Sequence, residues 1–131
     1  MSQQDQRFTV SIPPVPMFVR VDAARLRQIA SNLLTNAAKY TGAGGDITLT
    51  VEARGDALQL RVRDTGRGIA ADVLPTVFDL YQRSNPEGGG MGIGLAVVKA
   101  LAEGHGGTAE AISQGGGRGA EFIVTLPGAV L

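Results

Sequence analysis

Between Ile47 and Arg63 the chain alternates apolar and polar side chains in two runs. Ile47, Leu49, Val51 and Ala53 alternate with Thr48, Thr50, Glu52 and Arg54. Beyond Gly55-Asp56, Leu58, Leu60 and Val62 alternate with Gln59, Arg61 and Arg63. Successive strand side chains point to opposite faces, so a period of two means one buried face and one wet face. Two such runs around a Gly-Asp turn make an antiparallel hairpin. A hairpin with an apolar face needs a second layer to cover it.

Two segments have the spacing to supply that layer. Asp22 is a good N-cap for a helix reaching about Tyr40, with Leu26, Ile29, Ala30, Leu33, Leu34 and Ala37 forming a core-facing stripe. Ile93 to Glu103 predicts a second helix, with Leu95, Val98, Leu101 and Ala102 apolar and Gly104 as its stop. Phe8, Val10 and Ile12 alternate with Thr9 and Ser11 as a strand halted by Pro13-Pro14, and Met17 to Val21 reads as another short extended piece. Asp64 to Gly68 reads as a loop, followed by a short helix ending near Pro75; Tyr81 to Gly90 has no periodicity and reads as a mobile loop. Thr108 to Ser113 and Ala120 to Leu126 predict closing strands around Gly115-Gly116-Gly117. The order predicts a two-layer α/β sandwich, its mixed and mainly antiparallel sheet covered on one face by helices. One domain over 8–127 is expected, with residues 1–7 and 128–131 as tails.

Composition narrows the functions. The 131 residues suit a single core, and the 12 basic and 12 acidic side chains cancel. A neutral chain answers neither the field of a nucleic acid nor that of an anionic membrane. With no cysteine there is no disulfide, no thiolate zinc site and no thiol nucleophile. The longest run free of charged residues, Phe8 to Val19, is too short and too proline-rich to span a bilayer.

Glycine is the outlier. There are 19, about twice the usual share of roughly 7%, and most lie from Gly66 to Gly119. Gly88-Gly89-Gly90-Met91-Gly92-Ile93-Gly94 runs into the second helix, whose free N–H groups and positive dipole end suit phosphate. Asp64-Thr65-Gly66-Arg67-Gly68-Ile69 follows a strand; a carboxylate there can accept from an amino group, such as that of a nucleobase, or can simply lie exposed on a turn. On the first helix, Arg25, Asn32, Asn36 and Lys39 cluster at about 100° per residue on a side bordering the apolar stripe. Such a stripe can line a cleft or be a solvated face. Asn oxygens can hold Mg²⁺, and Lys39 can reach a phosphate. Neither Gly-x-x-x-x-Gly-Lys-Ser/Thr nor Gly-x-Gly-x-x-Gly occurs, so P-loop and Rossmann sites are unsupported.

In combination these segments resemble the catalytic ATP-binding domain of bacterial sensor histidine kinases. The series Asn32-Leu33-Leu34-Thr35-Asn36-Ala37-Ala38-Lys39-Tyr40-Thr41, Asp64-Thr65-Gly66-Arg67-Gly68-Ile69, Val77-Phe78 and Gly90-Met91-Gly92-Ile93-Gly94-Leu95 is similar to that family's N, G1, F and G2 boxes, in order. Gly104-His105-Gly106-Gly107 and the run from Gly117 to Pro127 extend the resemblance over about residues 8–127.

The resemblance implies the Bergerat-type sandwich shared with gyrase and heat-shock ATPases, and the cofactors ATP and Mg²⁺. Asn36 would coordinate Mg²⁺ with Asn32 beside it, Lys39 would contact phosphate, and Tyr40 would line the cleft. Asp64 would accept the adenine amino group on a floor shaped by Gly66, Gly68 and Ile69. Residues 83–90 would form the lid, anchored by Phe78 and Tyr81; Gly90, Gly92, Gly94 and Leu95 would close over the phosphates, with Arg83 as a phosphate or interdomain contact. His105 would be structural, not the phosphoacceptor. The implied activity is phosphotransfer to a histidine on a separate dimerisation domain, and indirectly to a response regulator. The chain would be a monomer from the cytoplasmic portion of a membrane-anchored kinase. A serine kinase of the anti-sigma-factor type and a non-catalytic nucleotide-binding module share the fold.

Two departures stand out. Where hydrolysing relatives carry a glutamate base, this chain has Asn32, which cannot activate water. Where the family often has Gly-Thr, it has Gly119-Ala120, one hydroxyl fewer at the adenine end.

Overall fold

A computed structural model of the chain describes residues 6–14, 17–41, 45–66, 68–69, 71–72, 74–79, 94–113 and 119–131. Among the described residues, five strands form one sheet: β1 (Arg7–Ser11), β2 (Asp46–Arg54), β3 (Ala57–Asp64), β4 (Thr108–Ile112) and β5 (Ala120–Leu126). Their order is β1-β2-β3-β5-β4. The β1–β2 pair is parallel and the other three are antiparallel, giving the mixed sheet expected. Helices α1 (Ala23–Tyr40) and α2 (Gly94–Gly104) pack against each other and the sheet.

The alternation decides which face they cover. Ile47, Leu58, Leu60, Val62, Phe122, Val124 and Leu126 are buried and pack with Ile29, Leu33 and Ala37 of α1 and Leu95, Val98 and Ala102 of α2. Phe78 meets Phe122 edge-on, with ring centroids 6.1 Å apart. On the other face, Arg61 pairs with Glu52 at 2.7 Å, and Arg54 shares the same carboxylate. Such partly exposed pairs contribute little stability; they mark the wet side.

Both helix ends are built as their sequences suggest. The Asp22 carboxylate accepts from the N–H groups of Ala24 and Arg25 at 2.9 and 3.3 Å. After α2 the chain closes a Schellman turn: Gly106 and Gly107 donate to the carbonyls of Glu103 and Ala102. Gly104 is therefore still helical, and the left-handed residue is Gly106 at φ 76°. His105 lies in this turn with Nδ1 2.9 Å from the Leu101 carbonyl, a structural contact.

Three expectations are corrected. Gln6 is no frayed residue: its side-chain amide donates to the carbonyls of Ala38 (3.0 Å) and Thr41, which the end of α1 leaves without helical partners. The last residues are likewise held, because Ala129 is buried and Val130 and Leu131 donate to Asp56 and Phe18. Met17 to Val21 is the short extended piece expected, held to the C-terminal residues by the Val19–Val130 bridge. The short helix near Pro75 is a single 3₁₀ turn, Leu74–Thr76. Among the described residues, no helix is long and apolar enough to cross a membrane.

Candidate functional site

Asp64 is the last residue of β3, not the first of a loop. Leu58, Leu60, Val62 and Asp64 occupy alternate positions, so the carboxylate stands at the end of an apolar row on the helix-covered face. It is only 3% exposed. Register places it between Ile47 of β2 and Ala120 of β5. One oxygen, Oδ1, accepts from the Gly66 N–H at 2.8 Å. The other, Oδ2, is buried and has no hydrogen-bond partner among the described residues. A buried acceptor without a donor is costly, and a ligand amino group would supply the missing donor. Burial pushes the carboxyl above its usual value of 3.8, against the lowering effect of the Gly66 and Ala120 backbone amides.

The turn after Asp64 is tied to both flanking strands. The Thr65 hydroxyl accepts from the Asp46 N–H at 3.0 Å, and the Thr65 N–H donates to the Asp46 carbonyl. Gly119 donates to the Gly66 carbonyl at 2.9 Å. At φ 71°, a Cβ on Gly119 would lie 2.1 Å from the Asp64 carbonyl oxygen, so only glycine fits the position. Gly68 also takes a positive φ, 78°. Ile69 is buried in the core, and its N–H donates to the Ser113 hydroxyl at 2.8 Å.

Helix α1 carries the second group. Asn32 and Asn36 are half-buried one turn apart, and Lys39 is exposed beyond them. The Asn36 side-chain nitrogen is buried without a partner among the described residues, which is unusual for a mid-helix amide with only a structural role. The described residues contain no group of three or more His, Cys, Asp or Glu able to hold a metal alone. A cation here would combine an Asn oxygen with ligand phosphates and water, as Mg²⁺ commonly does.

The remaining assignments divide. Gly94 opens α2, and Leu95 beside it is buried in the core. The backbone of Tyr40 ends α1, but its side chain, Tyr81, Arg83, Gly90 and Gly92 lie outside the described residues. Ser113 and Thr65 were not anticipated; the only signal was a hydroxyl residue at each strand end.

A family model for the histidine kinase-, DNA gyrase B- and HSP90-like ATPases matches residues 21–130. The chain belongs to this family. It is 39% identical over 120 residues to the sensor protein KdpD of Escherichia coli, covering 90% of this chain but 13% of KdpD. Full-length ShkA, solved in complex with AMPPNP, superposes with a TM-score of 0.85 at 31% identity, covering 98% of this chain and 27% of ShkA. The mycobacterial sensor histidine kinase MprB gives a TM-score of 0.84 at 28% identity, covering 98% and 88%. The mixed sheet with two helices on one face is the Bergerat fold of histidine kinase catalytic domains.

Proposed function

We propose that this chain binds ATP with Mg²⁺ and passes the γ-phosphoryl group to a histidine of a helical dimerisation domain, within a sensor kinase of which it is the catalytic part. The observation that carries the reading is the buried Asp64 carboxylate at the end of β3, one of its oxygens unpartnered among the described residues, in a chain of this family. Adenine's 6-amino group is a donor of the right kind, and the base would rest on the Asp64–Ile69 turn. The ShkA structure with AMPPNP supports a nucleotide at this fold.

Asn36 would hold the metal, with Asn32 beside it, and Lys39 would meet a phosphate. When bound, Mg²⁺ would offset the charge of the phosphate oxygens. Transfer breaks the bond between the γ-phosphorus and the β–γ bridging oxygen, forms a phosphorus–nitrogen bond to the acceptor imidazole, and releases ADP. Asn32 cannot serve as a base for water, so the site favours transfer over hydrolysis. The acceptor, a downstream response regulator, a cytoplasmic setting and a monomeric state for this domain belong to the same proposal.

The test supplies a purified histidine-containing dimerisation domain of the parent kinase with labelled ATP and this chain. Acid-labile label on histidine is the expected result. Saturable ATP binding with no label, or acid-stable label on serine, would overturn the histidine kinase reading.

A further inference from the structure

A chain of hydrogen bonds leads away from Asp64. The Asp64 carboxylate accepts from Gly66 at 2.8 Å, and the Gly66 carbonyl accepts from the Gly119 N–H at 2.9 Å. The Gly119 carbonyl accepts from the Ser113 hydroxyl at 3.0 Å, and the same hydroxyl accepts from the Ile69 N–H at 2.8 Å. Beyond the carboxylate, every other partner in this circuit is backbone; Ser113 contributes its side chain. It joins the far end of the 64–69 turn to the start of β5, the two segments that flank the carboxylate. A hydroxyl both donates and accepts, so one small side chain can satisfy a carbonyl and an N–H from different segments. Alanine could do neither.

We infer that Ser113 is a positioning residue for base recognition: it fixes the 66–69 turn against Gly119 so that the unpartnered Asp64 oxygen meets the 6-amino group of adenine. Ser113 touches no nucleotide in this scheme and acts through Asp64. The inference rests on the assignment of Asp64 to the base. A hydroxyl that merely staples β4 to the turn would lower affinity for every nucleotide alike. A positioning hydroxyl affects the 6-amino contact selectively.

The test compares binding of ADP with that of purine riboside 5′-diphosphate, which lacks the 6-amino group, by titration calorimetry on the full chain. The parent should prefer ADP by about tenfold or more, the size of one hydrogen bond to a charged group. In Ser113→Ala that preference should fall to within about threefold, and Ser113→Thr should restore it. Should Ser113→Ala fail to fold, Ser113→Cys, a weaker donor, should show a reduced preference. Parent-level preference in the alanine or cysteine variant, or an equal loss for both ligands, would overturn the role of Ser113. A parent that binds both ligands equally would instead remove the Asp64 assignment, and the inference with it.

Discussion

Gly119 lies against Asp64 so closely that a Cβ added to it would stand 2.1 Å from the Asp64 carbonyl oxygen. Asp64 ends β3 opposite Ala120, and Gly119 immediately precedes that residue at the start of β5. This contact holds the carboxylate at the buried end of β3. Gly119→Ala adds a backbone clash to a left-handed φ, and each effect costs about 1–3 kcal/mol. The expected outcome is a loss of about 3 kcal/mol by denaturant unfolding, with weaker ADP binding. Parent-like stability would mean that the strands part at little cost.

Asp64 connects pH to both stability and binding. Its folded carboxyl titrates above the usual value because it is buried. A raised carboxyl contributes stability at low pH that is lost as pH rises through the folded value, so the ionised group weakens the empty fold at neutral pH. Asp64→Asn should therefore be more stable than the parent at pH 7, with the difference shrinking as pH falls. ADP binding should move the opposite way, weakening by about 10- to 100-fold in the variant, as expected for a hydrogen bond to a charged group. In the parent, affinity should fall on acidification at a higher pH than an ordinary carboxylate would give. Thermal unfolding and calorimetry across pH 4 to 8, on the order of the range that such a group titrates, check both signs.

Asn36 should show itself through the metal. Its side-chain oxygen is the one protein group assigned to Mg²⁺. Asn36→Ala is expected to remove most of the gain in ATP-analogue affinity that Mg²⁺ gives, on the order of tenfold. Binding without Mg²⁺ should change much less. An unchanged Mg²⁺ response would take Asn36 out of the site.

Ala120 offers a gain-of-function test. Directly paired strand residues have Cβ atoms about 5 Å apart, so a threonine here would place a hydroxyl beside the Asp64 carboxylate, at the adenine end of the site, where it can bond the base. Ala120→Thr is expected to tighten ADP binding by about fivefold, the value of one added hydrogen bond. Because Ala120 is buried, the extra atoms should cost about 1 kcal/mol or more of stability. Affinity at or below that of the parent would show that the hydroxyl does not reach the site.

The sequence patterns located the elements because those signals are local. The stripe from Leu26 to Ala37 and the alternation around Gly55-Asp56 became α1 and the β2–β3 hairpin, and Asp22 caps α1 as expected. The boxes that carry the family resemblance likewise lie within short segments. The reading slipped at segment ends. Gln6 read as part of a tail because its partners, Ala38 and Thr41, lie more than thirty residues away.

From its sequence alone the chain specifies two amphipathic helices, a mixed sheet with one apolar face, and an ordered set of Asn, Asp and Gly motifs. Periodicity and motif order are written in neighbouring residues, so they can be read without the fold. Tertiary structure decided what those motifs face. Asp64 became a buried acceptor because β3 continues one residue further, in register with Ala120. The Ser113 hydroxyl reached Ile69 across 44 residues because β4 and β5 bring the two together. Burial and hydrogen-bond closure depend on which distant segments become neighbours, and here the strand register made that choice.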